Sequence, residues 1–287
     1  MKKIAALIIF FTCNNIFAFN WPQTQIIQSD QFYSYFGQLR GNTISNSLIF
    51  SDPSEVKAAD DGKISIVISD FEDYTDFFPS TLGNAVIISH NDNLLTVYGN
   101  IDQNIESYDV WDCKEVKTGT ILGMSGITAW QQGLSSLEFH VIDTKNNAAI
   151  NPRILMPRVG KELPLYYGDV TLKSKSGKSF NAKTPNIVPS GIYKIYKNRQ
   201  AVAVPYKTRV SINGTVVDQI SYDILNQNEN QIVASGKKSY PKNILYPDND
   251  LQLLGEATLT PGKNLLQLNL VDILGKETPA SYLITVY

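Results

Sequence analysis

The stretch "GNAVIISHNDNLLTVYGNID" (83–102) decides the fold class, because it holds two strand-like runs separated by a short polar segment. The runs "NAVIISH" (84–90) and "LLTVYGN" (94–100) are rich in Val, Ile, Tyr and Thr, residues that favour β-strands. Neither run shows the three-to-four-residue apolar spacing of an amphipathic helix. The stretch therefore predicts two β-strands close together in the chain.

Similar runs recur along the rest of the sequence, and we predict no helix longer than two turns. These runs are "KISIVISD" (63–70), "LEFHVID" (137–143), "DVTLKSK" (169–175), "GIYKIYK" (191–197), "KTRVSING" (207–214) and "SYLITVY" (281–287). Turn signals separate them, at Asp61-Gly62, Asn213-Gly214, Pro261-Gly262 and Leu274-Gly275. The pattern predicts an all-β protein.

A domain boundary is predicted near residues 152–168, where three prolines precede a new series of strands. From there to Tyr287, short strands and frequent turn signals are typical of an immunoglobulin-like β-sandwich. We therefore assign residues 19–159 to a first domain and residues 160–287 to a second.

Composition limits the partners of this chain. Hydrophobic residues make up 43% and charged residues 18%, as in an ordinary globular protein. The formal net charge of −2 argues against nucleic acid as a partner, because phosphate binding needs clustered positive charge.

The N-terminus has the layout of a secretory signal. Lys2 and Lys3 precede the apolar run "IAALIIFF" (4–11), and we expect residues 1–18 to be removed by cleavage after Ala18. The alternative is lipid attachment at Cys13, as in bacterial lipoproteins. No later stretch approaches the ~20 apolar residues of a transmembrane helix, so we predict an exported protein without a membrane-spanning segment.

Several ordered stretches between about Phe36 and Pro157 resemble a zinc metallopeptidase domain of the M23 family, the LytM or lysostaphin type. They are "FGQLRGN" (36–42), "EVKAADDGKI" (55–64), "GNAVIISHNDNLLTVYGNID" (83–102), "VKTGTILGMSGITA" (116–129), "LEFHVID" (137–143) and "INPRILMP" (150–157). The resemblance implies an M23-like open β-barrel, a duplicated hybrid motif with a groove. Family members usually act outside the cytoplasm and cut peptide cross-links in peptidoglycan, which implies the periplasm or cell envelope of a bacterium.

The turn glycines of the family pattern are retained. We expect them where strands turn tightly or backbones approach closely. They are Gly62, Gly83, Gly119, Gly123 and Gly126.

The resemblance also implies where chemistry would occur. Active members bind zinc through a His, an Asp four residues later and the second His of "HxH", while two more histidines assist the reaction. All five positions are substituted in this chain; they carry Ser45, Ile49, Asn100, Ser136 and Glu138. One carboxylate does not hold zinc. We therefore expect a catalytically inactive domain, a pseudoenzyme, with no cofactor.

One alternative is a relocated zinc site. Glu138 and His140 are two residues apart on a predicted strand and so share a face, and the stretch "SDFEDYTDFF" (69–78) offers more carboxylates. The other interpretation is that Glu138 and His140 hydrogen-bond locally. Replacing both should then leave stability nearly unchanged.

Aromatic and basic clusters allow two interpretations each. "QFYSYFG" (31–37) and "DYTDFFP" (73–79) either pack on the core as loop anchors or grip a partner beside the groove. "KSKSGK" (173–178) and "GKKSYPK" (236–242) are interpreted as solvated turns, the alternative being sites for polyanions.

Together these observations predict a secreted M23-like pseudoenzyme with a C-terminal β-sandwich. Its expected partner is peptidoglycan or a cell-wall amidase that it activates. The alternative is an active zinc metalloendopeptidase that cuts peptidoglycan cross-links through the relocated site of Glu138 and His140.

Overall fold

The computed structural model describes residues 18–23, 32–69, 80–102, 113–129, 135–158, 160–184 and 187–287. The predicted signal (except Ala18), Cys13 and the aromatic stretch 73–79 lie outside these ranges, as does nearly all of the acidic stretch 69–78. Within them, no helix has the length and apolar character needed to cross a bilayer.

The first half of the described chain is built from short strands, a 3₁₀ turn (Asn91–Asn93) and one short α-helix. The strands are β1 (Phe32–Ser34), β2 (Leu39–Arg40), β3 (Thr43–Ile44), β4 (Leu48–Phe50), β5 (Glu55–Lys57), β6 (Gly62–Ile68), β7 (Asn84–Ser89), β8 (Leu94–Ile101), β9 (Glu115–Val116), β10 (Ile121–Met124), β11 (Glu138–Asp143) and β12 (Ala148–Ile150). Helix α1 (Pro152–Leu155) follows, and the Asn151 side chain caps it by accepting a hydrogen bond from the Arg153 amide.

The second half contains longer strands. They are β13 (Val170–Ser174), β14 (Ser179–Asn181), β15 (Ile187–Val188), β16 (Gly191–Asn198), β17 (Lys207–Ile212), β18 (Thr215–Asn228), β19 (Gln231–Ser235), β20 (Ser239–Pro241), β21 (Leu251–Leu259), β22 (Gly262–Val271) and β23 (Glu277–Val286), with helix α2 (Lys242–Leu245) after β20. Asn213 and Gly214 join β17 to β18, and both have positive φ (51° and 84°), as a two-residue type I′ hairpin requires.

The largest sheet runs through both halves of the chain. Its strands lie in the order β15-β23-β22-β17-β18-β12-β11-β8-β7-β6-β9, and it does not close on itself within the described ranges. Strand β12 joins the halves, since it pairs with β11 on one side and with β18 on the other. Strand β4 also pairs with β11, so β4, β11 and β8 lie side by side. The site described below is built on these three strands.

A β-sandwich forms in the second half, as the sequence predicts. The smaller sheet, in the order β14-β13-β16-β21, packs against β17, β22 and β23. Strand β22 shows why: Asn264, Leu266, Leu268 and Leu270 are buried while the residues between them are more exposed, so one face of the strand meets the core.

A second hydrophobic core is shared by the two halves. It contains Phe50, Tyr98 and Phe139 from the first half, with Tyr222 and Tyr246 from the second. The Tyr246 hydroxyl donates to the carbonyl of Gly37 at 2.7 Å. The predicted boundary near residues 152–168 is therefore crossed by both core packing and the β12–β18 hydrogen bonds.

The predicted strands and turn glycines fit the structure closely. "NAVIISH" (84–90) and "LLTVYGN" (94–100) become β7 and β8, which pair antiparallel. Gly83 has φ 62°, and a Cβ there would lie 2.4 Å from Thr128 Oγ1. A Cβ on Gly126 would lie 2.5 Å from the Asp102 backbone. At both glycines a side chain would have no room.

Candidate functional site

The five positions that the resemblance singles out converge on β11 and its neighbours. Glu138, the first residue of β11, is paired in register with Ile49 of β4 on one side and Gly99 of β8 on the other. Asn100 follows Gly99, and Ser136 lies two residues before Glu138. All five positions are at most 3% exposed, including Ser45 in the segment before β4. The structure thus brings them together in the interior.

Glu138 is the charged centre of this site. Its two carboxylate oxygens accept hydrogen bonds from the two terminal nitrogens of Arg40, at 2.6 and 3.1 Å. The Ser47 hydroxyl donates to Oε1 at 2.9 Å. Burial raises the pKa of Glu138, but contacts with His140 and Arg40 lower it by more and hold it at about 2. The carboxylate is therefore ionised at neutral pH and paired with an internal cation.

His140 lies on the same face of β11 as Glu138. Its Nε2 is 3.3 Å from Glu138 Oε1, and its side chain is 11% exposed. The two residues of the predicted relocated site are therefore neighbours. Within the described ranges, no group of three or more His, Cys, Asp or Glu side chains is arranged to hold a metal ion.

Ser45 and Ile49 fill the positions of the first two expected ligands. The Ser45 hydroxyl donates to the Ser47 carbonyl at 3.3 Å and lies 3.4 Å from the Ser47 hydroxyl. Ile49 is 1% exposed, and its aliphatic side chain offers no donor or acceptor. This edge of the site is held by serine hydroxyls and apolar packing.

Asn100 and Ser136 form a second hydrogen-bonded pair. Asn100 Nδ2 donates to the Ser136 carbonyl at 2.5 Å, while its Oδ1 accepts from the Ala129 amide at 2.9 Å. Asn100 has φ 61°, a left-handed conformation that Asn tolerates better than most residues. Its side chain therefore ties β8 to the segments that lead into β11.

The comparisons with known proteins agree with this geometry. A family model described as Peptidase family M23 matches residues 46–152, a range that contains Ile49, Asn100, Ser136 and Glu138.

The chain belongs to peptidase family M23.

Among proteins similar to this M23 protein, an uncharacterised protein of Treponema pallidum (strain Nichols) is 30% identical over 121 residues, which cover 39% of this chain and 79% of the relative. A zinc-containing peptidase from Vibrio cholerae is 25% identical, with 43% of this chain and 36% of that chain covered and a TM-score of 0.34. A complex of SpoIIIAH and SpoIIQ contains a chain that is 18% identical to this one. The match covers 48% of this chain and 99% of that chain, with a TM-score of 0.35. A second family model matches residues 164–287.

The residues at the five positions that the resemblance singles out do not fit zinc. Zinc in proteins takes imidazole, thiolate or carboxylate ligands in a tetrahedral set, whereas four of the five positions here carry Ser, Ile, Asn and Ser. The fifth, Glu138, is already neutralised by Arg40. A dication there would have to displace the partly buried Arg40 guanidinium, which lies at hydrogen-bond distance.

The other histidine of the M23 domain has a structural role. Its Nδ1 is 2.8 Å from the Asp61 carbonyl and its Nε2 is 2.7 Å from the Thr96 hydroxyl, so both ring nitrogens of His90 are satisfied. Phe19 packs on the ring, with 5.2 Å between centroids.

The contacts of two residues with Glu138 could not be predicted from the sequence. Arg40 belongs to the quoted stretch "FGQLRGN" (36–42), and Ser47 lies between two of the aligned positions. Nothing in their local pattern indicates contact with Glu138, which is 98 residues from Arg40 and 91 from Ser47. The sequence carries no local signal for either contact.

The first aromatic cluster packs on the core. Phe32, Tyr35 and Phe36 are buried, and the Phe32 ring lies 5.2 Å from that of Phe50 and 5.5 Å from that of Tyr35. Tyr33 is the exception, at 55% exposed. These aromatic residues of "QFYSYFG" (31–37) are therefore mainly loop anchors.

Proposed function

We propose that this protein is a non-catalytic member of the M23 family that acts in the bacterial cell envelope. In this proposal its M23 domain either binds peptidoglycan or regulates a cell-wall hydrolase such as an amidase. The observation that carries the proposal is the Arg40–Glu138 ion pair, which occupies the strand where the family pattern places a zinc ligand.

The electrostatics of the site support an inactive domain. Metal-dependent peptide hydrolysis needs a cation that lowers the pKa of a bound water and stabilises the developing oxyanion. Here the single ionised carboxylate is compensated by Arg40 and also accepts from Ser47. Asn100 and Ser136 are bonded to each other. These groups are engaged in holding the fold, and none is poised to accept a proton from water.

The intact scaffold supports a retained binding role. A chain that is freely losing function would be expected to lose the close backbone approaches at Gly83 and Gly126 along with the catalytic residues. Both approaches are kept, and the three strands β4, β11 and β8 remain in register. A domain that keeps its architecture while its ligand set is replaced is best explained by selection for binding.

Three measurements on purified protein lacking residues 1–18 test the proposal. We expect zinc far below one atom per chain by elemental analysis, and no release of soluble fragments from purified sacculi. We expect either co-sedimentation with sacculi or an increase in fragment release by an added amidase. Failure of both binding readouts would contradict the proposed role even if the chain is zinc-free.

A second candidate is a divergent zinc peptidase centred on Glu138 and His140. The 3.3 Å separation of Nε2 and Oε1 favours it, because a ligand pair must lie on one face. It predicts stoichiometric zinc and fragment release that a chelator abolishes. The same zinc and sacculus assays therefore separate the two candidates.

A further inference from the structure

A cleft of about 520 Å³ lies on the outer face of the smaller sheet of the sandwich, away from the M23 site. It brings together two basic stretches that sequence analysis interprets as solvated turns. "KSKSGK" (173–178) contributes Lys173 and Lys175, and "GKKSYPK" (236–242) contributes Lys238, while Lys194 of β16 lies between them. The volume is within the usual range of ligand pockets.

Two of these lysines face each other across the sheet. Lys173 of β13 is directly opposite Lys194 of β16, and both are half-buried. Like charges in this cross-strand position repel at close range and weaken the pairing of the strands. In the described part of the chain neither lysine makes a salt bridge. Such a pair is stabilised when an anion lies between the two ammonium groups.

The nearby carboxylate does not supply that anion. Glu256 of β21 is opposite Lys194 in register, but its Oε2 is 2.7 Å from the ammonium of Lys238. The Glu256–Lys238 pair is neutral as a unit. Lys173, Lys175 and Lys194 therefore leave the cleft with an excess of positive charge.

The floor of the cleft is apolar. Ile192 is 48% exposed, and Ile244 and Pro247 also line the cleft. Tyr196 is fixed beneath them, because its hydroxyl donates to the Ile244 carbonyl at 3.2 Å. An apolar floor with a charged rim is the anatomy of a protein-binding surface.

We propose that this cleft binds an acidic segment of a partner protein, with an apolar side chain on Ile192, Ile244 and Pro247 and flanking carboxylates on Lys173 and Lys194. Charge complementarity selects the acidic side chains, and the floor selects the apolar one. A phosphate polymer fits less well, since the residues that line the cleft include no arginine for bidentate phosphate contacts. The inference does not depend on the M23 site.

The test uses a fluorescein-labelled synthetic peptide, Asp-Glu-Leu-Asp-Glu, and anisotropy titration of the full chain at low ionic strength. We expect saturable binding that weakens as salt is added. We also expect amide shifts in nuclear magnetic resonance spectra concentrated at Ile192 and Lys194. The neutral peptide Asn-Gln-Leu-Asn-Gln should bind at least about tenfold more weakly.

Variants locate the site. Lys173→Glu with Lys194→Glu should weaken binding at least about tenfold, while Lys263→Glu, an exposed lysine on the other sheet, should not. If the Lys173→Glu, Lys194→Glu variant folds poorly, Lys173→Gln with Lys194→Gln repeats the test without added negative charge. Ile192→Asn tests the floor.

Three results would overturn the proposal. They are no saturable binding of the acidic peptide, equal binding by the Lys173→Gln, Lys194→Gln variant, and linear polyphosphate binding more tightly than the peptide in a competition titration. The last result would assign the cleft to a phosphate polymer.

Discussion

Arg40 and Glu138, 98 residues apart in the chain, form a two-pronged ion pair inside the M23 domain, with nitrogen–oxygen distances of 2.6 and 3.1 Å. The side chain of Glu138 is 4% exposed and that of Arg40 is 17% exposed. A pair this well shielded from water is costly to break from one side, because the remaining charge stays buried without its partner.

The first prediction concerns this pair and stability. Arg40→Met should lower the free energy of unfolding by about 3 kcal/mol, since it leaves the Glu138 carboxylate uncompensated. The double variant Arg40→Met, Glu138→Leu should lose less than the single variant, because no charge remains. Urea denaturation followed by fluorescence measures both. Lys63→Ala, at an ion pair whose side chains are over 70% exposed, is the control and should cost little.

The sequence alone led to a different expectation. It was that replacing Glu138 and His140 together leaves the free energy of unfolding nearly unchanged. The structure leads us to predict a loss of stability instead, since the double replacement removes the partner of Arg40. A Glu138, His140 double variant as stable as the parent would show that the ion pair is not maintained in solution.

The second prediction is a pH dependence in the acid range. The pKa of Glu138 is lowered from 4.5 to about 2 in the folded chain, so the unfolded chain binds the proton more readily. The ionised Glu138 carboxylate therefore adds to the free energy of unfolding above pH 4.5, and this contribution is lost as the pH falls toward 2. Urea unfolding between pH 2 and 5 should show a steeper decline for the parent than for the Arg40→Met, Glu138→Leu variant. An equal decline in stability for the parent and the double variant would contradict this prediction.

The third prediction concerns Asn100. Asn100→Ala should destabilise the chain by about 2–4 kcal/mol, because it leaves the Ser136 carbonyl and the Ala129 amide without their partner and places Ala at φ 61°. Asn100→Gly removes the same hydrogen bonds, but glycine adopts this left-handed backbone conformation without strain. The Gly variant should therefore be more stable than the Ala variant by about 1 kcal/mol. Thermal unfolding of the pair separates strain from hydrogen bonding. Equal melting temperatures would show that the backbone is not strained.

The fourth prediction is that Arg40 weakens zinc binding by a variant in which the family ligands are restored. Ser45→His, Ile49→Asp and Glu138→His restore the family ligands, but Arg40 would then pair with the new aspartate and repel a dication. Adding Arg40→Gln should tighten zinc binding at least about tenfold, measured by competition with a chromophoric chelator. If neither variant binds zinc, the alignment of these positions with the family ligands is wrong.

The fifth prediction concerns the predicted domain boundary. Tyr222 and Tyr246 are buried against the first half, and a Cβ on Gly37 would lie 2.6 Å from Tyr222 Cδ1. A fragment of residues 19–159 lacks both tyrosines and exposes its side of the shared core. We expect that fragment to aggregate or to lack a cooperative transition, while residues 19–287 unfold cooperatively in calorimetry. A soluble, cooperative fragment would establish an independent first domain.

Sequence reasoning works well for this fold where the signal is local. The alternation in "KISIVISD" (63–70) and "LEFHVID" (137–143) locates β6 and β11 to within two residues, because side-chain period and strand propensity act over neighbouring positions. The Asn213-Gly214 hairpin follows from the same short-range chemistry.

Contacts between distant segments could not be predicted in this way. The pairing of β12 with β18, the Arg40–Glu138 bond and the meeting of Lys173 with Lys194 all depend on which strands become neighbours. A single sequence carries the composition of each strand but not the identity of its partner. The family resemblance identifies the five aligned positions. It does not identify Arg40 and Ser47, which contact Glu138.

Strand β12 is hydrogen-bonded to β11 on one side and to β18 on the other. The M23 site therefore lies in the sheet that also supplies one layer of the sandwich, while the lysine cleft lies on the other layer, which packs against it. A partner that contacts both the outside of the M23 domain and the lysine cleft meets these two surfaces at a separation and orientation set by this packing. After it binds the first surface, it encounters the second at a high effective concentration. Two weak contacts can then add up to a long-lived complex.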